Sequence, residues 1–237
     1  YGPGNATLGL AGVLTGTDAL EQAQKYFGNM DNHTRRHSPS LEEPRQTSEK
    51  VETIQDPLAV LPAVYMAYHM PELGSPEYYA LSVLALVVSH GESSRFYRKF
   101  IYDHNLITSL SVGPNQNKGP QLFYIWVQIQ KEIKVDQVVQ EVEEELKLLR
   151  EEPVSEAELE KARNQISYRF VGRLTKVSRV AELLAHYALF FDDTGRINND
   201  LDRYLAVTPE DILEASRNVF RPENRTLLLV EPRTTDI

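Results

Sequence analysis

No cysteine occurs anywhere in the 237 residues. That absence removes disulfides, thiolate nucleophiles and every cysteine-containing zinc site at once. Long apolar runs are missing as well: the longest, from Ala80 to Val88, falls far short of the roughly 20 residues that a membrane-spanning helix needs. Basic residues are in deficit. Lys plus Arg number 25 against 34 Asp plus Glu, a net charge of -9 that repels a phosphate backbone and argues against a nucleic-acid partner. What remains is ordinary globular material, 41% hydrophobic and 25% charged with 12 Gly and 13 Pro, so disorder, collagen and coiled-coil rods are excluded for the chain as a whole. Tyr1-Gly2-Pro3-Gly4-Asn5 carries neither an initiator Met nor a basic, apolar leader, and the chain is expected to be a piece of a longer polypeptide.

Periodicity orders the elements. Ala6 to Val13 reads as a short buried strand between Pro3-Gly4-Asn5 and Thr15-Gly16-Thr17. A helix capped by Thr17 or Asp18 then runs through Tyr26 and Phe27 to Gly28. The polar stretch from Asn29 to Arg45 is expected to be a loop. Lys50 to Met70 predicts one or two strands interrupted near Pro57 and Pro62. From Pro76 an almost wholly apolar helix follows, breaks at His90-Gly91-Glu92-Ser93-Ser94 and resumes a helical period over Arg95 to His104. Ile107 to Val112 and the strand holding Phe123, Ile125, Val127 and Ile129 form a hairpin around the Gly113 to Pro120 turn cluster. An amphipathic helix from Val135 to Leu149 precedes Ser155-Glu156-Ala157-Glu158, a capping box opening a helical stripe too long for a small domain, so a break is expected near Gly172. A short helix over Ile197 to Leu205, a helix opened by Thr208-Pro209-Glu210-Asp211 and a last strand, Arg225 to Val230, complete the order. The expected fold class is α+β, a mixed or antiparallel sheet with helices mainly on one face, built as a single domain over residues 1–237.

Local motifs give little chemistry. Of the six histidines, His33 and His37 have the four-residue spacing of a helical zinc pair, but their neighbours predict a loop. Glu182 and His186 read as a surface pair one helical turn apart. Gly91-Glu92-Ser93-Ser94-Arg95 lacks the second glycine of a nucleophile elbow, and helix capping explains its serines. Neither a P-loop nor a dinucleotide-binding glycine pattern occurs, and the Glu141 to Glu145 cluster reads as a solvated helix face.

The ordered set Tyr1 to Leu8 with Ala11-Gly12, Lys25-Tyr26-Phe27-Gly28, Glu43-Pro44, Gly91 to Tyr97, Val154 to Ala162, Val207 to Asp211 and Asn224-Arg225-Thr226 before Val230-Glu231-Pro232 resembles the pitrilysin, insulysin and mitochondrial-processing-peptidase family of zinc metallopeptidases over nearly the whole chain. The resemblance implies a half-domain of an enzyme in which two halves enclose a peptide chamber. Hydrolysis in that family uses an inverted motif, His-x-x-Glu-His, with a distant Glu as third zinc ligand. None of the histidines here heads such a motif. The resemblance therefore implies the non-catalytic, second domain, with no cofactor in this chain and zinc in a partner or upstream domain.

A non-catalytic half of that family can still lend an Arg and a Tyr, seven residues apart, to substrate at the other half's zinc. Laid on Ser94-Arg95-Phe96-Tyr97, the pattern puts the Arg at Ile101, its glycine at Asn105 and the Tyr at Thr108, so both functional side chains are lost. Asn105 can still take the left-handed conformation of a helix end. Arg95, Tyr97, Arg98 and Tyr102 are the candidate replacements for substrate contact, Arg95 being equally a candidate for a structural ion pair. The expected function is an inactive peptidase domain that forms part of the chamber and packs against a zinc-bearing domain of the same or a sister chain, with peptide as substrate. A homodimer is the other expected assembly, and the periplasm or cell envelope the expected location if the source is bacterial. Two alternatives stay open: a structural assembly subunit resembling the core proteins of the respiratory cytochrome bc complex, and an unrelated module that binds peptide along a sheet edge.

Overall fold

A computed structural model describes residues 3–30, 41 and 43–233. Most of the expected 29–45 loop, with His33 and His37, lies outside the described residues. The chain divides into two compact units, one made of Tyr1–Ser40 with Gln165–Arg203, the other of Leu41–Asn164 with Tyr204–Ile237.

Among the described residues the larger unit holds five strands: β1 (Lys50–Asp56), β2 (Ala63–Met70), β3 (Ile107–Pro114), β4 (Gln121–Ile129) and β5 (Arg225–Pro232), in the order β1-β5-β2-β4-β3. Only the β1–β5 pair is parallel. Along β4 burial alternates residue by residue, with Phe123, Ile125, Val127 and Ile129 buried and Tyr124, Trp126 and Gln128 half-buried, because successive side chains point to opposite faces. The buried face lies under α2 (Pro76–Ser89), α3 (Val135–Glu151) and α7 (Pro209–Val219). Phe220 sits at the centre of this core, its ring edge-on to Tyr68 at 5.3 Å and to Phe123 at 5.1 Å. The expected α+β class with helices on one sheet face is thus the observed one.

Caps explain where these helices start. Ser75 accepts from the Tyr78 amide and precedes Pro76, whose missing N–H costs nothing in a first turn. Thr208 and Asp211 form a reciprocal capping box at 2.8 and 3.1 Å, again followed by proline. In the irregular segment before α2, and again between the strands, no cis peptide occurs.

The smaller unit contains α1 (Gly16–Phe27), the C-terminal part of α4 (Glu156–Leu174), α5 (Val177–Phe191), a short turn over Thr194–Asn198 and the start of α6 (Asp200–Leu205). Its packing is sparse. Among the described residues of this unit only Tyr187 and Asp200 are buried, joined by a hydrogen bond from the tyrosine hydroxyl at 3.0 Å. Arg196 lies over the Phe191 ring at 3.8 Å, a cation–π contact at the unit's surface.

Two expectations need correction here. Ala6 to Val13 is irregular chain, not a strand: Gly9 lies so close to α5 that a Cβ would stand 2.2 Å from the Ala181 carbonyl oxygen, so the segment packs its backbone on a helix instead of pairing with a sheet. The cap of α1 is Thr15, not Thr17 or Asp18, and Asp18 instead closes the box as its third helical residue. The expected helical break comes at Thr175-Lys176, between α4 and α5, three residues after Gly172.

Candidate functional site

The segment from Ser94 to Thr108 is where the resemblance placed substrate contacts. After the Gly91 turn, whose φ of 81° is a left-handed value that favours glycine, Ser94 accepts no role as a nucleophile: it is buried and its hydroxyl donates to the Gly91 carbonyl at 2.7 Å. Tyr97–Asp103 is a π-helix, a wider turn that occurs mostly as short insertions near functional positions. It ends as the sequence requires, with the His104 amide donating to Lys99 at 3.0 Å and Asn105 at φ 50°. The Asn105 side chain then accepts from Gln130 at 3.2 Å. Asn105 thus takes a left-handed turn at the position where the resemblance expects a glycine.

The four candidate contact residues part company. Arg95 makes a two-pronged pair with Glu158, Nε to Oε1 at 2.6 Å and an Nη to Oε2 at 2.8 Å. Glu158 is also the third residue of the α4 capping box and accepts from the Ser155 amide at 2.9 Å. Hydrogen bonding from Arg95, with the Ser155 amide and hydroxyl adding to it, holds the Glu158 carboxyl down at about 2 against the opposing effect of burial. Arg95 is therefore committed to tying α4 to the π-helix. Tyr97 is half-buried, whereas Arg98 and Tyr102 are exposed, Arg98 making only a loose pair with Asp103 at 3.7 Å. Ile101 is half-buried, and Thr108 is exposed with its hydroxyl donating to the Gln128 side chain at 3.0 Å. Neither of these last two can supply a cation or a phenol.

Among the described residues no group of three or more His, Asp or Glu side chains is placed to hold a metal ion. His90 and His104 lie on the loops flanking the π-helix, His69 is the penultimate residue of β2 and lies near Glu43 at 3.7 Å, and His186 stacks on Phe190 at 4.6 Å. Burial pushes the His186 imidazole below its ordinary value. Lys161 donates to Ser93 at 2.6 Å, an exposed contact between an ammonium and a hydroxyl.

The face of the sheet away from α2, α3 and α7 was not singled out by sequence reasoning. Register brings Tyr65 opposite Trp126 and Leu228, with Ala67 opposite Tyr124. The small alanines at 63 and 67 leave room for the rings, and Tyr65 and Tyr124 stack at 5.7 Å with planes 8° apart. Burial, with Tyr124 adding to it, raises the Tyr65 phenol above its ordinary value. The signal was half visible, since Tyr124 and Trp126 occupy the outward positions of β4. Tyr65 joins them only through strand pairing.

The larger unit is thus a five-stranded mixed sheet with helices on one face, in a chain whose sequence holds no His-x-x-Glu-His. The family model described as the Peptidase M16 inactive domain matches residues 1–166, and the chain belongs to that family. It is 21% identical over 234 residues to the zinc protease PqqE of Helicobacter pylori, a match covering 98% of this chain and 52% of that protein. The chain spans about half the length of the curated relative it matches. The crystal structure of a protease from Helicobacter pylori superposes with a TM-score of 0.87 at 20% identity, over 94% of this chain and 54% of that one. The periplasmic protease PqqL of Escherichia coli has the same fold, with a TM-score of 0.72 at 14% identity over 93% of this chain and 24% of that one. No helix among the described residues is long and apolar enough to cross a membrane.

Proposed function

We propose that this inactive M16 domain serves a zinc peptidase as part of the wall of a peptide-enclosing chamber and as the packing partner of a zinc-bearing domain. The observation that carries this reading is the smaller unit. Leu8, Leu10, Leu14, Leu20, Tyr26 and Phe27 are exposed there, and a soluble domain seldom leaves that much apolar surface uncovered. A zinc-bearing domain, on the same or a sister chain, covers it; the metal and the base belong to that domain, and residues 1–237 act with it as one domain. Peptide meets this chain at the open sheet face around Tyr65, Tyr124 and Trp126, with Arg98 and Tyr102 as further contacts. By analogy with PqqL the compartment is the periplasm.

Co-expression of this chain with a zinc-bearing M16 domain from the same organism tests the reading, by size-exclusion chromatography with metal analysis of each peak. The expected result is a shared peak with zinc stoichiometric to the partner and none on this chain alone. Separate elution, or stoichiometric zinc on the isolated chain, overturns it.

A further inference from the structure

The whole-chain charge of -9 points to basic partners, yet one place in the fold is strongly cationic. Where α4 gives way to α5, a recess of about 960 Å³ is lined by residues that include Arg169, Arg173, Lys176 and Arg179 with Tyr168 and Val171. Among the described residues no acidic one lines it. All four cations are exposed. Arg179 pairs with Glu182, and no carboxylate among the described residues pairs with the side chains of Arg173 or Lys176. Tyr168 is 83% exposed and Val171 56%, so apolar surface lies between the charges.

Surface cations in a chain this acidic ordinarily acquire nearby carboxylates, because an opposite charge within a few ångströms is favourable and acidic residues are in excess. Arg173 and Lys176, left without them beside a concavity, are complementary to an anion supplied from outside. We propose that this recess binds an acidic peptide segment in which carboxylate side chains alternate with apolar ones. Arg173 and Lys176 are the principal charge contacts, Arg169 and Arg179 flank them, and Tyr168 and Val171 receive the apolar side chains. A guanidinium grips a carboxylate through two parallel N–H donors, which fixes orientation as well as charge. Concavity favours a chain segment over an anionic bilayer, whose flat surface the acidic remainder of the protein also repels. This inference rests on the reading of the domain as one that meets peptide, and it adds the class of peptide.

The test is fluorescence anisotropy on the intact protein, in chelator so that no probe is consumed, with a short labelled peptide alternating Glu with Leu and a matched peptide carrying Lys for Glu. The expected result is binding of the acidic probe alone, weakened about tenfold in the double variant Arg173→Glu, Lys176→Glu, and weakened further by raising the salt. The matched reversal Lys118→Glu, Lys147→Glu changes net charge equally at exposed positions and leaves binding unchanged. Equal binding of the two probes overturns the proposal. So does equal weakening by both double variants, or capture of phosphatidylglycerol vesicles in place of the acidic peptide. Should the acidic probe bind as described while no zinc-bearing domain co-elutes, the recess stands and the chamber reading falls; the reverse pattern removes the recess alone.

Discussion

The two units differ in how much of their stability each holds within itself. In the larger, β4 alone contributes Phe123, Ile125, Val127 and Ile129 to a core shared with α2, α3 and α7, and ion pairs finish its margins, as where Arg225 joins Glu49 and Glu143 beside the buried Tyr68. In the smaller, α1 and the 6–14 segment expose most of their apolar side chains, and Val13 is entirely open to solvent. Apolar burial is the dominant favourable term in folding. A domain can therefore hold one unit by its own core and leave the other to be held by what it meets.

The sharpest break of this comparison is a cavity in the larger unit. Phe220→Ala is expected to cost about 3–5 kcal/mol, the range for removing a buried phenylalanine, read as a lower denaturant midpoint for the whole cooperative transition. Next comes the Arg95–Glu158 pair. A carboxyl whose folded value is about 2 against 4.5 ordinarily is protonated less readily in the folded state than in the unfolded. It adds stability above the upper value and loses it as pH falls from 4.5 toward 2. Arg95→Ala should cost about 1–2 kcal/mol at neutral pH after allowance for solvent screening, and should flatten the acid limb of a stability-against-pH curve. Unchanged acid sensitivity would show that the pair is not what ties α4 down.

Smaller effects sharpen the picture. Asn105→Val should cost about 1 kcal/mol because a β-branched residue resists a left-handed backbone, whereas Asn105→Gly is expected within about 0.5 kcal/mol of the parent. Thermal melts of the two separate backbone strain from loss of the Gln130 hydrogen bond. Replacing Leu20 and Tyr26 with Ser should alter stability by no more than about 0.5 kcal/mol, yet reduce binding of a hydrophobic dye and of a zinc-bearing partner domain. A large loss of stability would mean that the smaller unit is internally packed after all.

Much of the fold was legible because local signals and tertiary packing agree. The period-2 pattern of β4 and the boxes at Ser155–Glu158 and Thr208–Asp211 carry their structure within a few residues. The strand expected at Ala6 to Val13 failed because an apolar run does not state its partner, and here the partner is α5. The π-helix was read only as helical, since an extra residue in a turn leaves little trace in hydrophobic spacing. Ile101 and Thr108 stand where the resembled motif, laid on Ser94 to Tyr97, would carry its Arg and Tyr. The aromatic face required the register of β2 on β4, which no single strand encodes. The cationic recess did leave a trace, Arg169, Arg173, Lys176 and Arg179 at steps of three and four, but the break between α4 and α5 obscured it.

Hydrogen exchange followed residue by residue, on the chain alone and with a zinc-bearing M16 domain added, tests the contrast between the units most directly. The expected map shows slow exchange in β2, β4, α2 and α7 under both conditions, and fast exchange in α1 and α5 that slows when the partner is present. Equal protection of both units in the isolated chain would contradict it.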